Sequence, residues 1–138
     1  MIYDIAQLAD FQKSFWEYIE KGEKIVITAH VSPDDDSIAS VLSTYTILTK
    51  KYPAKDMQII YTGERIEKYS IFYNFEKINF VADLADHIAG VDTLITLDVS
   101  GFGRVSKNPD AIKNIPVRLC IDHHGSTPDD FTCGLIVP

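Results

Sequence analysis

The chain has 138 residues, 46% hydrophobic and 24% charged, with 13 Lys and Arg against 20 Asp and Glu for a formal net charge of -7. These proportions exclude a disordered or membrane-embedded chain, and a chain of this length buries roughly 68% of its unfolded surface without needing metal or disulfide staples. The acidic field repels a nucleic-acid backbone and excludes coating of duplex nucleic acid, yet a small polyanion could bind where carboxylates hold divalent cations that invert the local charge.

No apolar run reaches the roughly 18 residues of a membrane span, and Met1 to Glu20 lacks a basic start followed by an apolar stretch. The expected compartment is cytoplasmic. Cys120 and Cys133 form no CxxC pair and are expected to be reduced packing residues.

In chain order, Ile5, Leu8, Phe11, Phe15 and Ile19 recur at helical spacing behind Asp4, a candidate N-cap, and the run ends at Gly22. Lys24 to Ala29 is β-branched without helical period and reads as a buried strand that empties into His30-Val-Ser-Pro-Asp34. From Asp35 or Asp36, apolar residues Ile38, Val41, Leu42, Tyr45 and Leu48 restore helical spacing and stop before Pro53. Met57 to Tyr61 and Ile78 to Val81 read as strands, and Asp83 to Ala89, which contains His87, as a helical pattern. Val91 to Leu97 empties into Asp98, and Val117 to Ile121 empties into Asp122-His123-His124.

This alternation implies an α/β fold of three layers, a mostly parallel sheet flanked by helices in a single domain over residues 1–138. In such a sheet ligands bind beyond the carboxyl ends of the strands, where the three polar loops would converge. His30, Asp34 and Asp36 offer one imidazole and two carboxylates within one loop. Mixed nitrogen and oxygen donors suit Mn2+, Fe2+ or Co2+ better than Mg2+ or Ca2+. Alone, Asp34 to Asp36 equally fits a helix N-terminus whose acids complement the dipole, with Ser32 or Asp34 as the cap. Asp98 and the Asp122-His123-His124 triplet at two further strand ends favour the metal reading.

His30-Val-Ser-Pro-Asp-Asp-Asp36, the strand ending at Asp98, and Asp122-His123-His124 resemble the first three motifs of the DHH phosphoesterase superfamily. Its members include oligoribonucleases and pAp phosphatases, cyclic dinucleotide phosphodiesterases, single-strand-specific DNA exonucleases, exopolyphosphatases and a class of inorganic pyrophosphatases. The resemblance implies that His30 and Asp34 hold one metal, Asp36 and His123 a second, and Asp98 bridges both. His124 would face the phosphate, and Asp98 and His124 would be the catalytic residues. Asp122 would orient a ligating histidine from behind rather than bind metal. The implied cofactor is a pair of Mn2+ ions, with Mg2+ or Co2+ as alternatives. The implied activity is hydrolysis of phosphate esters in small nucleotides or short single-stranded oligonucleotides by a water that two metals activate. The alternatives are an exopolyphosphatase or pyrophosphatase, and a metal-binding regulatory module without turnover. A receiver-type signalling domain ranks below these, since it leaves the histidines unexplained. A homodimer of the full-length protein is compatible with the resemblance.

The chain departs from the family pattern at Asp35, where Gly is usual, and after the triplet, where Gly125-Ser-Thr-Pro-Asp-Asp130 replaces a frequent Asn. The fourth-motif Asp and the C-terminal substrate-binding domain have no counterpart before Pro138, and Asp129 and Asp130 follow the triplet too closely to supply that Asp. The sequence therefore reads as a piece of a longer enzyme that would be inactive alone. Arg104 is a candidate phosphate partner or brace for an acidic ligand, with a surface role as the alternative. Gly101 and Gly103 read as a tight turn, and His87 and Trp16 as structural.

Overall fold

The computed structural model describes residues 5–125 and 127–138; the candidate cap Asp4 and Ser126 lie outside them. Six strands form one sheet in the order β3-β2-β1-β4-β5-β6, with β1 Lys24–Thr28, β2 Asp56–Thr62, β3 Ile78–Val81, β4 Thr93–Leu97, β5 Val117–Asp122 and β6 Cys133–Ile136. Every pairing is parallel. Helices α1 (Ile5–Lys21) and α2 (Asp35–Lys51) are long, and α3 (Pro109–Lys113) is short.

The alternation of side chains along each strand divides the core between the two faces. Ile25, Ile27, Ile59, Ile95 and Leu119 bury against Phe15 and Ile19 of α1 and Ile38, Val41 and Leu42 of α2. Val26, Ile60 and Leu94 bury on the opposite face with Leu84, Phe102 and Ile112. Both faces are thus covered, which is why the central strands read as unbroken apolar runs.

One expectation changes, and two features are new. The segment containing His87 is a 3-10 turn, Leu84–His87, because Asp83 caps it by accepting the N–H of Ala85 and no apolar stripe follows. The segment between β2 and β3, to which the sequence assigns no element, holds two further 3-10 turns, Glu67–Ile71 and Phe75–Lys77. Strand β6 has no sequence counterpart: it is four residues long, contains Gly134 and is only partly buried, so neither β-propensity nor alternation announces it. Among the described residues, no helix is long and apolar enough to cross a membrane.

The strand order reverses between β1 and β4: the chain leaves β1 toward β2 on one side and leaves β4 toward β5 on the other. The loops after these two strands therefore diverge and leave a crevice at the carboxyl end of the sheet. His30 follows β1, Asp98 follows β4, and the triplet ends β5.

Candidate metal centre

Asp34 serves two ends. It caps α2, with Oδ1 accepting the Ser37 N–H at 2.9 Å while Ser37 Oγ accepts the Asp34 N–H at 3.1 Å. Its other oxygen, Oδ2, lies 3.6 Å from His30 Nε2. The backbone N–H of Ser37 is the main cause that holds the Asp34 carboxyl below its ordinary value. The helix-cap reading of this loop thus holds for Oδ1, while Oδ2 is left facing His30. Asp35 and Asp36 complement the dipole in the first turn of α2.

Asp98 divides in the same way. Oδ2 is 3.3 Å from His30 Nε2, and Oδ1 is 2.9 Å from His123 Nε2. Its N–H donates to Ile121 O at 3.0 Å and continues the β4–β5 ladder, after which the backbone turns left-handed at φ 58°. Ser32, in the first loop, is also left-handed at φ 55°. Such conformations cost an ordinary residue about 1–3 kcal/mol, and they gather where a site needs a side chain aimed against the local preference.

His123 Nε2 is also 3.3 Å from Asp36 Oδ2. Asp98 is 4% exposed at its side chain and His123 59%, so the cluster is floored by Asp98 and opens past His123. A cleft of about 270 Å³ whose lining includes Asp36, Asp98 and His123 lies there. Asp122 is buried, and its Oδ1 accepts the N–H groups of His123 and His124 and the Nδ1–H of His124 at 2.6 Å. The ring that Asp122 orients is therefore His124. Burial alone would push the Asp122 carboxyl up, but the bonds from His124, Ser100 and the two backbone N–H groups hold it below the ordinary value.

The donor set fits a divalent cation. His30 Nδ1 sits 2.8 Å from Val31 O, and a carbonyl only accepts, so the neutral ring carries its proton on Nδ1. Nε2 then directs a lone pair at the carboxylates of Asp34 and Asp98, an arrangement that repels unless positive charge lies between them. Two groups are close enough to hold an ion: His30, Asp34 and Asp98, and Asp98, Asp122, His123 and His124. They share Asp98. In the second group Asp122 Oδ1 is committed to N–H donors, whereas the Asp36 carboxylate faces His123 without such competition.

The other candidates fall outside these groups. Arg104 connects the loops through its backbone, its carbonyl accepting the Val31 N–H at 2.7 Å, while its exposed guanidinium makes no ion pair among the described residues. Gly101 precedes a 3-10 turn, Phe102–Arg104, that contains Gly103, and His87 is exposed in its own turn. Cys120 is buried and Cys133 half-buried, both unbridged, and burial pushes the Cys120 thiol up to about 11.

Several supports were invisible in the sequence. Asp129, weighed only as a metal ligand, is a strap: its Oδ2 accepts the Phe102 N–H at 2.7 Å and its N–H donates to Ser100 O at 2.9 Å, which ties the loop after Asp98 to the segment after the triplet. The buried Tyr69 hydroxyl reaches Pro33 O at 3.5 Å, and Lys68 lies 3.5 Å from Asp35, so the turn Glu67–Ile71 braces the first loop. No short-range pattern marks such contacts, which join residues tens of positions apart.

The fold has relatives among solved structures. The crystal structure of an exopolyphosphatase-related protein from Bacteroides fragilis superposes with a TM-score of 0.83 at 24% identity, covering 93% of this chain and 38% of that one. This chain thus spans well under half of that protein's length. No curated protein matches the sequence significantly. The family model described as "DHH family, N-terminal domain" matches residues 24–138, a span that takes in all three polar loops, and the chain accordingly belongs to the DHH family.

Proposed function

We propose that this chain carries the metal-binding half of a phosphoesterase that hydrolyses phosphate esters of small nucleotides or short single-stranded oligonucleotides. The observation that carries the reading is the division of Asp98, with one carboxylate oxygen toward His30 and the other toward His123. A single ion needs one such face; a buried acid with a histidine and a further Asp on each side is suited to two. His30 and Asp34 would hold one ion, Asp36 and His123 the other, and Asp98 both. Mn2+ is the first choice, with Mg2+ or Co2+ as alternatives. When bound, the ions supply the positive charge that polarises a water and the phosphoryl oxygens. His124, fixed through Nδ1 by Asp122, keeps Nε2 free, and in its protonated form donates from there to a phosphoryl or leaving oxygen.

The likeness to a protein described as exopolyphosphatase-related supports polyphosphate as a second reading. Against it stands the formal charge of -7, which disfavours a long polyanion more than a nucleotide with one or two phosphates. One experiment separates them. The full-length protein, loaded with Mn2+, is assayed on pAp, a dinucleotide and tripolyphosphate, each with and without excess chelator. The proposal expects chelator-sensitive release from the nucleotides at a higher kcat/KM than from tripolyphosphate. Preference for tripolyphosphate selects the second reading, and turnover that survives the chelator overturns both.

A further inference from the structure

Helix α2 buries Ile38, Val41 and Leu48 in the core and leaves Asp36, Ala39, Ser43 and Ile47 as an exposed stripe at helical spacing. Asp36 and Ser40 line the cleft of the candidate metal centre. Ala39, Ser43 and Ile47 line a groove of about 470 Å³, which Phe72 and Tyr73 line as well. Ala39 stands three residues beyond Asp36, less than one helical turn of about 5.4 Å, so the groove continues the cleft along the helix.

The groove is apolar and open. Ile47, Phe72 and Tyr73 are exposed, Tyr73 at 80%, and so is Ile71 beside them in the chain; contiguous apolar exposure of this kind marks a binding surface. Its aromatic side is held in place. Asn74, left-handed at φ 66°, donates from Nδ2 to Thr46 Oγ1 at 3.1 Å and ties the segment to α2. Phe72 stacks on Tyr69 with centroids 6.2 Å apart, and the Tyr69 hydroxyl reaches Pro33 O in the first loop. The segment that braces the candidate metal centre thus also carries the aromatic side of the groove.

Charge decides what the groove can take. Among the described residues none that lines it is charged, so a chain of phosphates meets no cation there. A nucleobase is neutral and flat, and stacking on an aromatic side chain is a common way to hold the bases of a single strand. Ser43 adds an exposed hydroxyl that can meet the polar edge of a base.

We infer that the groove is a nucleobase subsite, in which a base of the substrate stacks on Tyr73 while its phosphate lies at the candidate metal centre. This rests on the phosphoesterase reading proposed above and deepens it: the groove, rather than the ions, becomes the source of a preference for nucleotides over polyphosphate.

The test uses the full-length protein loaded with Mn2+ and three substrates: a dinucleotide, the same dinucleotide made abasic at one or the other position, and tripolyphosphate. Tyr73→Ser is expected to raise KM for the dinucleotide about tenfold, to change kcat by less than about twofold, and to leave tripolyphosphate unaffected. Tyr73→Phe keeps the ring and should keep the parent KM. Ser43→Leu, which fills the groove from the helix side, should raise KM as Tyr73→Ser does. On one of the two abasic substrates the parent should show the raised KM, and Tyr73→Ser should add nothing to it. An unchanged dinucleotide KM in Tyr73→Ser, or an equal rise for tripolyphosphate, overturns the base subsite and leaves the phosphoesterase reading intact. Sedimentation of parent and variant covers the other occupant: a dimer that Tyr73→Ser disperses, with KM unchanged, gives this face to a second copy. A parent protein without chelator-sensitive turnover of the dinucleotide overturns the phosphoesterase reading itself, and this inference with it.

Discussion

Strand β4 has an aspartate at each end, and the two are opposites. Asp92, before the strand, accepts the backbone N–H of Glu23 at 3.0 Å and of Lys24 at 2.9 Å on Oδ2, and the Thr93 hydroxyl at 2.7 Å on Oδ1. Its negative charge is answered by donors of the fold, and it ties the start of β1 to the start of β4. Asp98, after the strand, faces the imidazoles of His30 and His123, with the carboxylates of Asp34 and Asp36 beyond them. Its backbone is left-handed. One acid completes the fold; the other is held in place by the fold at some cost and lacks a positive partner. The difference teaches that a carboxylate's role is read from what its lone pairs meet, since residue type and strand position are alike.

The sharpest break in this comparison is Asp98→Asn. Asparagine tolerates the left-handed backbone, so the change removes charge without adding strain. At pH 8, above the ordinary imidazole range, the metal-free variant should melt higher than the parent, because one of the mutually repelling acids is gone. The response to metal should collapse. Mn2+ at a hundred times its dissociation constant stabilises the parent by about 2.7 kcal/mol, roughly 10 °C for a chain of this size, and the variant should lose most of that rise. Calorimetry with and without Mn2+ reads both effects. An intact Mn2+ response in the variant rules Asp98 out as the shared ligand.

How much of this contrast the sequence disclosed depends on range. The candidate site was legible because its side chains are crowded: His30, Asp34 and Asp36 lie within one loop, Asp122 to His124 are contiguous, and each group follows a β-branched run that reads as a strand. Helix α2 was legible from its apolar spacing, and the cap at Asp34 from its acids. Asp92 was passed over, since nothing local distinguishes an acid that meets N–H groups nearly seventy positions away from a solvated one. Strand β6 and the Asp129 strap were hidden for the same reason: both depend on partners on other elements, β5 for the one and the loop after β4 for the other.

The opposite end of β4 gives the next largest effect. Asp92→Ala leaves two backbone N–H groups and a threonine hydroxyl without their charged acceptor, and bonds of that kind place the loss at about 2 kcal/mol. It should appear equally in the metal-free and Mn2+-loaded protein, because Asp92 contacts none of the proposed ligands. Chemical denaturation of both forms checks this, with the Mn2+ dissociation constant measured alongside. A loss confined to the loaded form would mean that the two ends of the strand are coupled and the contrast between them is false.

The smallest effect follows from the titration of Asp92. Burial would push its carboxyl up, but the N–H of Lys24, the Thr93 hydroxyl and the N–H of Glu23, with Lys55 adding charge, override burial and hold it below the ordinary value. A carboxyl depressed in the folded state binds its proton more weakly than in the unfolded chain. The stability it contributes is therefore fully present above the unfolded value, about 3.9, and is lost as pH falls through that value toward the lower folded one. The melting-temperature gap between parent and Asp92→Ala should accordingly be constant from pH 7 to pH 5 and narrow between about pH 4 and pH 3. The measurement belongs on the metal-free protein, where release of cations from the centre cannot contribute to the acid response. Other depressed acids, Asp34, Asp83 and Asp122, weaken the fold over the same range, but they do so in both proteins and cancel from the gap. A gap that stays constant to pH 3 would show that Asp92 acts through shape and neutral hydrogen bonds alone, and that its charge, unlike that of Asp98, is incidental to its place in the sheet.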